Sequence, residues 1–118
     1  MKTYKQNTIK SLGLPAFQNN GNQSKDLMIH DIIYLKADSN YTVFTLQNGQ
    51  QITTGFSLNK YAKLEGFNFV RTHRSFIINI LHVLDIDFEK HFLTMNNGAS
   101  IDISRRRKPF LKRLLFVQ

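Results

Sequence analysis

The 118 residues carry a formal charge of +8 and 42% apolar side chains, which suits one basic domain with a modest core. There is no cysteine, so disulfides, thiolate nucleophiles and cysteine-ligated metals are excluded, and a cytoplasmic setting is expected. No apolar run reaches the roughly 18 residues of a membrane span, and the lysine-bearing start lacks the continuous apolar stretch of a signal peptide.

In chain order, residues 1–8 read as a loose N-terminal arm and residues 9–118 as the domain proper. The segment IKSLGLPAF is expected to form a first strand before Pro15, and QNNGNQSKD (18–26) an exposed loop. HDIIYLKA (30–37) is a strand whose apolar run is too continuous to show which face is buried. YTVFTLQ (41–47) and QQITT (50–54) flank Asn48-Gly49, a pair that readily takes the positive φ of a type I′ hairpin turn.

Ser57 is placed to cap a short helix with Leu58, Tyr61 and Leu64 on one face and Gly66 as its stop. VLDIDF (83–88) alternates, predicting Leu84, Ile86 and Phe88 inward and Asp85 and Asp87 on the wet face. HFLTM (91–95), the turn NNG and ASIDI follow as a second hairpin, with Ile101 and Ile103 inward. Tyr34, Phe44, Phe67, Phe69 and Phe92 sit among aliphatic residues and are expected in the core. The sum is a mainly β, elongated antiparallel domain with one or two short helices.

The tail has two readings. Either Ser104 caps a helix that would hold Pro109 inside it, or RRRK is turned and a helix begins with Pro109 in its first turn. The second is preferred, and it puts Phe110, Leu111, Leu114 and Leu115 on the apolar face.

The charge is unevenly placed. Residues 31–69 are neutral overall, whereas residues 70–118 hold nine basic and four acidic side chains, and RRRKPFLKR (105–113) is basic at six of nine positions. Such a concentration beside apolar anchors points to an anionic partner, most commonly nucleic acid. In NFVRTHRSFIIN (68–79), Arg71, His73 and Arg74 stand at the mouth of an apolar strand, and the nearest acid in sequence is Glu65. Arginine forks grip phosphate or read guanine. The four histidines lack metal-ligand spacing, Ser75 and Ser104 lack a nucleophile pattern, and no glycine-rich phosphate loop exists. No enzyme, metal, cofactor or small-molecule substrate is expected.

Three blocks in order, DIIYLKADSNYTVFTLQNG, SLNKYAKLEGFNFVRTHRSFIIN and GASIDISRRRK, resemble the LytTR-type DNA-binding domain of bacterial transcription regulators. The most specific part runs from Phe69 through Arg71, His73, Arg74, Ser75 and Phe76, then Asn79, and later Ile103, Ser104 and Arg105. The resemblance implies small stacked sheets whose loops, not a recognition helix, enter successive major grooves of duplex DNA. It implies base contacts from Asn40, Tyr41, Arg74, Arg105 and Arg106. Arg71, Ser75, Arg107, Lys108 and Lys112 become phosphate contacts, with His73 orienting its loop. Lys2, Lys5 and Lys10 are further backbone-contact candidates.

Family members commonly carry a receiver domain or a membrane-spanning segment. At this length the expectation is a stand-alone regulator or a piece of a longer protein. A second copy is expected on adjacent direct repeats. The contrasting reading is a nonspecific anionic-surface module binding RNA or acidic membrane through residues 105–118.

Overall fold

The computed structural model describes residues 7–18 and 24–116. Its centre is a five-stranded antiparallel sheet in the order β5-β4-β3-β7-β6. These strands are β3 (Ile32–Asp38), β4 (Tyr41–Leu46), β5 (Gln51–Thr54), β6 (Phe69–His73) and β7 (Phe76–Asn79). A second sheet, β10-β9-β8, joins β8 (Val83–Asp87), β9 (Phe92–Met95) and β10 (Ser100–Asp102). The short strands β1 (Phe17–Gln18) and β2 (Ser24–Lys25) pair antiparallel, so the segment expected to be an exposed loop (18–26) contains strand residues toward both of its ends. The chain ends in α1 (Lys108–Phe116).

The central sheet is covered on both faces, which explains the unbroken apolar run of β3. Ile32, Leu35, Phe44, Phe69 and Ile77 face one core with Ile9, Leu12, Leu58, Tyr61 and Leu64. Ile33, Val70 and Ile78 face the other with Leu93, Met95, Ile101, Ile103 and Leu111. A β-bulge between Ile32 and Tyr34 shifts the phase of β3, so Ile32 and Leu35 share a face despite their odd spacing. Phe44 and Phe69 are buried, and Tyr34, Phe67 and Phe92 are half-buried.

The helical segment Leu58–Gly66 is a 3₁₀ helix. The spacing of Leu58, Tyr61 and Leu64 is three throughout, matching three residues per turn and stacking all three against the core. Ser57 precedes it without a side-chain capping bond. The buried Tyr61 hydroxyl lies 3.1 Å from the Pro15 carbonyl, to which it donates, and 3.1 Å from Thr54 Oγ1.

Several expectations need correction. IKSLGLPAF is not a strand: residues 9–13 form turns in which Leu12 N–H donates to Thr8 O and Gly13 N–H to Lys10 O. The helix-like spacing of Ile9 and Leu12 buries both side chains, and Gly13 supplies a positive φ of 73°. Thr8, just ahead of these turns, forms an isolated bridge with Met28. The part of the N-terminal arm with Lys2 and Lys5 lies outside the described residues.

Asn48-Gly49 is not a type I′ turn, because only Gly49 has positive φ. Gly49 N–H donates to Leu46 O, and Asn48 Oδ1 accepts from Gln50 N–H. The turn at Gly98 repeats this arrangement, with Asn97 Oδ1 accepting from Ala99 N–H. A residue in the left-handed region closing a three-residue loop suits glycine at both places.

In β8, a bulge between Val83 and Asp85 breaks the alternation. Leu84 is turned out and 68% exposed, while Val83 and Ile86 pack on the core. In α1, Leu111 is buried and Leu115 packs beside it, but Phe110 and Leu114 are exposed. The helix lies on the sheet with an i, i+4 stripe narrower than the four-residue face expected. Ser104 also contributes to its start: its Oγ accepts from Arg107 N–H at 3.2 Å, and Pro109 sits in the first turn of α1.

Candidate nucleic-acid interface

Three connections emerge at one end of the central sheet. In the β3–β4 hairpin, Asp38 pairs with Tyr41, leaving Ser39 and Asn40 at the tip, with φ 55° at Ser39. Asn40 is exposed, as is Tyr41. In the β6–β7 hairpin, His73 pairs with Phe76, leaving Arg74 and Ser75 at the tip. Since β7 lies beside β3, with Phe76 opposite Lys36, both tips point the same way. At about 4.8 Å per strand, their centres are about 10 Å apart. The third connection follows β10: Ser104 N–H donates to Thr72 O at 2.9 Å, setting residues 104–107 beside the edge strand β6.

The β6–β7 tip is held from several directions. Ala37 N–H donates to Ser75 O at 2.8 Å, stitching the loop to β3. Ser75 N–H donates to His73 Nδ1 at 3.1 Å, which fixes the orientation of the ring. The Arg71 guanidinium donates to His73 O at 3.2 Å, to Asn59 Oδ1 at 2.8 Å and to Arg74 O. A β-bulge between Arg71 and His73 leaves Thr72 outside the ladder, its carbonyl turned to Ser104.

Arg107 carries a comparable load. Its Nε donates to Arg71 O at 2.9 Å, its Nη2 pairs with Glu65 Oε1 at 3.3 Å, and its guanidinium lies 5.1 Å from the Phe110 ring centre. Partial burial lowers the pKa of Arg71, and Arg107 adds to that effect while Glu65 opposes it. An arginine nonetheless stays charged at any physiological pH.

The candidate arginines therefore fall into two groups. Arg71 and Arg107 are half-buried and hydrogen-bonded inside the protein, Arg71 through Nε and both Nη atoms and Arg107 through Nε and Nη2. Arg74, Arg105 and Arg106 are exposed, and their side chains make no hydrogen bond or ion pair with any described residue. Glu65, Arg71, His73, Arg74, Ser104, Arg106 and Arg107 together line an open cleft of about 490 Å³. Lys108 is half-buried at the start of α1, and Lys112, one turn on, places Nζ 5.6 Å from the Phe88 ring centre. Ser75 is half-buried.

The charge around α1 is opposite to what helix stability favours. Its first turn contains no acid, and residues 105–108 are all cations set against the positive end of the helix dipole. An external anion complements such an arrangement. The sequence reading missed Asn59 and Glu65 as parts of this cluster. The signal for Glu65 was its position as the nearest acid to Arg71, but the 3₁₀ geometry that brings it back over β6 was not legible. Among the described residues, no three histidine, aspartate or glutamate side chains gather into a metal site, and no helix is long and apolar enough to cross a membrane.

Residues 22–116 match the LytTr DNA-binding domain family. Two proteins described as sensory transduction protein LytT, from Bacillus cereus and Bacillus anthracis, are each 35% identical over 91 residues. Each match covers 74% of this chain but only 37% of the relative. A solved LytTr DNA-binding domain from Bacillus cereus superimposes with a TM-score of 0.73 at 24% identity, over 87% of this chain and 96% of that one. This last likeness establishes the fold.

Proposed function

The chain belongs to the LytTR family of DNA-binding domains, and on that premise we propose that it is a sequence-specific regulator of transcription that reads duplex DNA with loops. The observation that carries this is the set of uncommitted guanidiniums of Arg74, Arg105 and Arg106 on connections at one end of a sheet buried on both faces. Each can present a fork to guanine O6 and N7, worth about 1–3 kcal/mol of discrimination per bidentate pair. Asn40 and Tyr41 extend the contact from the β3–β4 tip toward the neighbouring groove. Lys108 and Lys112 neutralise phosphate, with the remaining donors of Arg71 and Arg107, the Ser75 hydroxyl contacts phosphate, and His73 keeps the loop in shape. The reader works without catalysis, cofactor or small-molecule substrate, in the cytoplasm, and two copies occupy direct repeats.

The test is selection from a random duplex pool at near-physiological salt, followed by titration of Arg74→Ala against the selected site. The expected result is a short repeated motif whose preference at one position relaxes in Arg74→Ala. Unchanged affinity and preference in that variant would remove this loop from base readout. Affinity should fall steeply with salt as phosphate counterions are released.

Exposed Phe110 and Leu114 beside Lys112 and Arg113 favour a second reading, an amphipathic surface for acidic membrane. Co-sedimentation with anionic liposomes, without duplex preference, would support it.

A further inference from the structure

We infer that Glu65, an acid within this basic cleft, is a positioning residue that joins the Arg74 loop and the turn at residues 105–107 into one rigid reader. The inference rests on the DNA-reading function proposed above. A carboxylate beside bound phosphates repels them, so any favourable contribution from Glu65 must come through geometry.

That geometry centres on the backbone of Arg71. β6 is an edge strand, and an edge strand leaves backbone groups without a neighbouring strand. Two paired side chains close this edge. Glu65 Oε1 accepts from Arg71 N–H at 3.3 Å, and Arg107 Nε donates to Arg71 O at 2.9 Å. The same Glu65 Oε1 lies 3.3 Å from Arg107 Nη2, so the two clamping groups hold each other. The Arg71 guanidinium then reaches forward to the carbonyls of His73 and Arg74. Displacing Glu65 frees Arg107 on one side and the base of the Arg74 loop on the other. Neither Arg74 nor Arg105 has a hydrogen bond or ion pair with Glu65, so its influence passes through Arg71 and Arg107.

Charge and position predict opposite signs, which makes the inference testable. Glu65→Ala adds one unit of positive charge and leaves no side-chain oxygen to accept from Arg71 N–H and Arg107 Nη2. Asp31→Asn adds the same charge at the far end of β3, about 20 Å from the loops at the rise of an extended strand. Both variants and the unsubstituted protein are titrated with the selected operator and a scrambled duplex, and thermal unfolding checks that each is folded.

In Glu65→Ala, scrambled-duplex binding should tighten by up to about fivefold, the scale of one exposed charge interaction. The operator-to-scrambled ratio should fall by about tenfold, within the range of a lost bidentate base contact. Asp31→Asn should leave the ratio unchanged. Adding Glu65→Ala to Arg74→Ala should lower the ratio by less than Glu65→Ala does alone, because part of its effect passes through Arg74. Arg107→Lys keeps the charge but loses the fork, so it should reduce the ratio as well and stands in if Glu65→Ala does not fold.

Equal tightening on both duplexes by Glu65→Ala, with the ratio intact, would overturn the inference and leave Glu65 as a simple repulsive charge. If the unsubstituted protein selects no motif, the DNA-reading function fails first, and the inference with it.

Discussion

Asn79 is 1% exposed, and both ends of its amide are used: Nδ2 donates to Ile32 O at 3.0 Å, and Oδ1 accepts from Leu81 N–H at 3.0 Å. It thus ties the end of β7 to the start of β3 and caps the turn leading into β8. Asn79→Ala strands the carbonyl of Ile32, a fully buried residue, at a cost of about 1–3 kcal/mol. It also removes a cap from an N–H near the surface, at about 1 kcal/mol. The expected loss is about 2–4 kcal/mol, a large fraction of the 5–15 kcal/mol typical of a domain. Urea unfolding should show a lower midpoint with the slope unchanged. Asn79→Asp keeps the acceptor for Leu81 but turns a carboxylate oxygen toward a carbonyl. Its carboxyl must hold a proton in the folded state, so its folded pKa is raised, and its stability should improve as pH falls from 7 toward 5. Both variants lying within about 0.5 kcal/mol of the unsubstituted protein at neutral pH would refute the reasoning.

Other substitutions probe separate parts of the argument. Leu84→Ala should change stability by less than about 0.5 kcal/mol, whereas Ile86→Ala should cost about 1–3 kcal/mol; equal losses on urea unfolding would contradict the bulge in β8. Arg71→Lys preserves charge but not the fork, so the salt slope of DNA binding should stay constant while the operator preference falls; an unchanged preference would mean that Arg71 acts only as a charge. Burial pushes the Asp26 carboxyl up, but the N–H groups of Lys10 and Leu27, the Thr8 hydroxyl and the Lys10 charge outweigh this, leaving its pKa below 3.8. The stability it contributes is present above that value and lost as pH falls through the folded pKa. The stability gap between Asp26→Asn and the unsubstituted protein should therefore be constant from pH 7 to about 5 and close at lower pH; a gap unchanged at pH 3 would refute this.

Much of the fold was legible because local chemistry and packing agree. Asn-Gly pairs marked both hairpins, and the spacing of Ile101 and Ile103 matches their burial. What was illegible depends on small changes of phase. One extra residue in β8 turns Leu84 out, and one in β3 puts Ile32 and Leu35 on the same face, yet neither bulge has a glycine or proline to announce it. The turn type at Asn48-Gly49 was misjudged because the dipeptide fixes only the conformation its glycine needs. For the interface, the cationic clusters were visible as composition. Their division into engaged and free arginines was not, since it depends on Glu65 and Asn59 returning to β6 from a separate helical segment.

The covering of the central sheet on both faces has a consequence for association. β3 and β7 carry Ile32, Ile33, Leu35, Ile77 and Ile78, none more than 2% exposed, so opening this pair would expose both cores at once. Their amides should be among the slowest to exchange hydrogen. The loops at their ends are short and inherit that stillness. A rigid reader loses little conformational entropy when it meets its partner. The cost of docking would then fall chiefly on the long arginine side chains and on whatever bending the DNA requires.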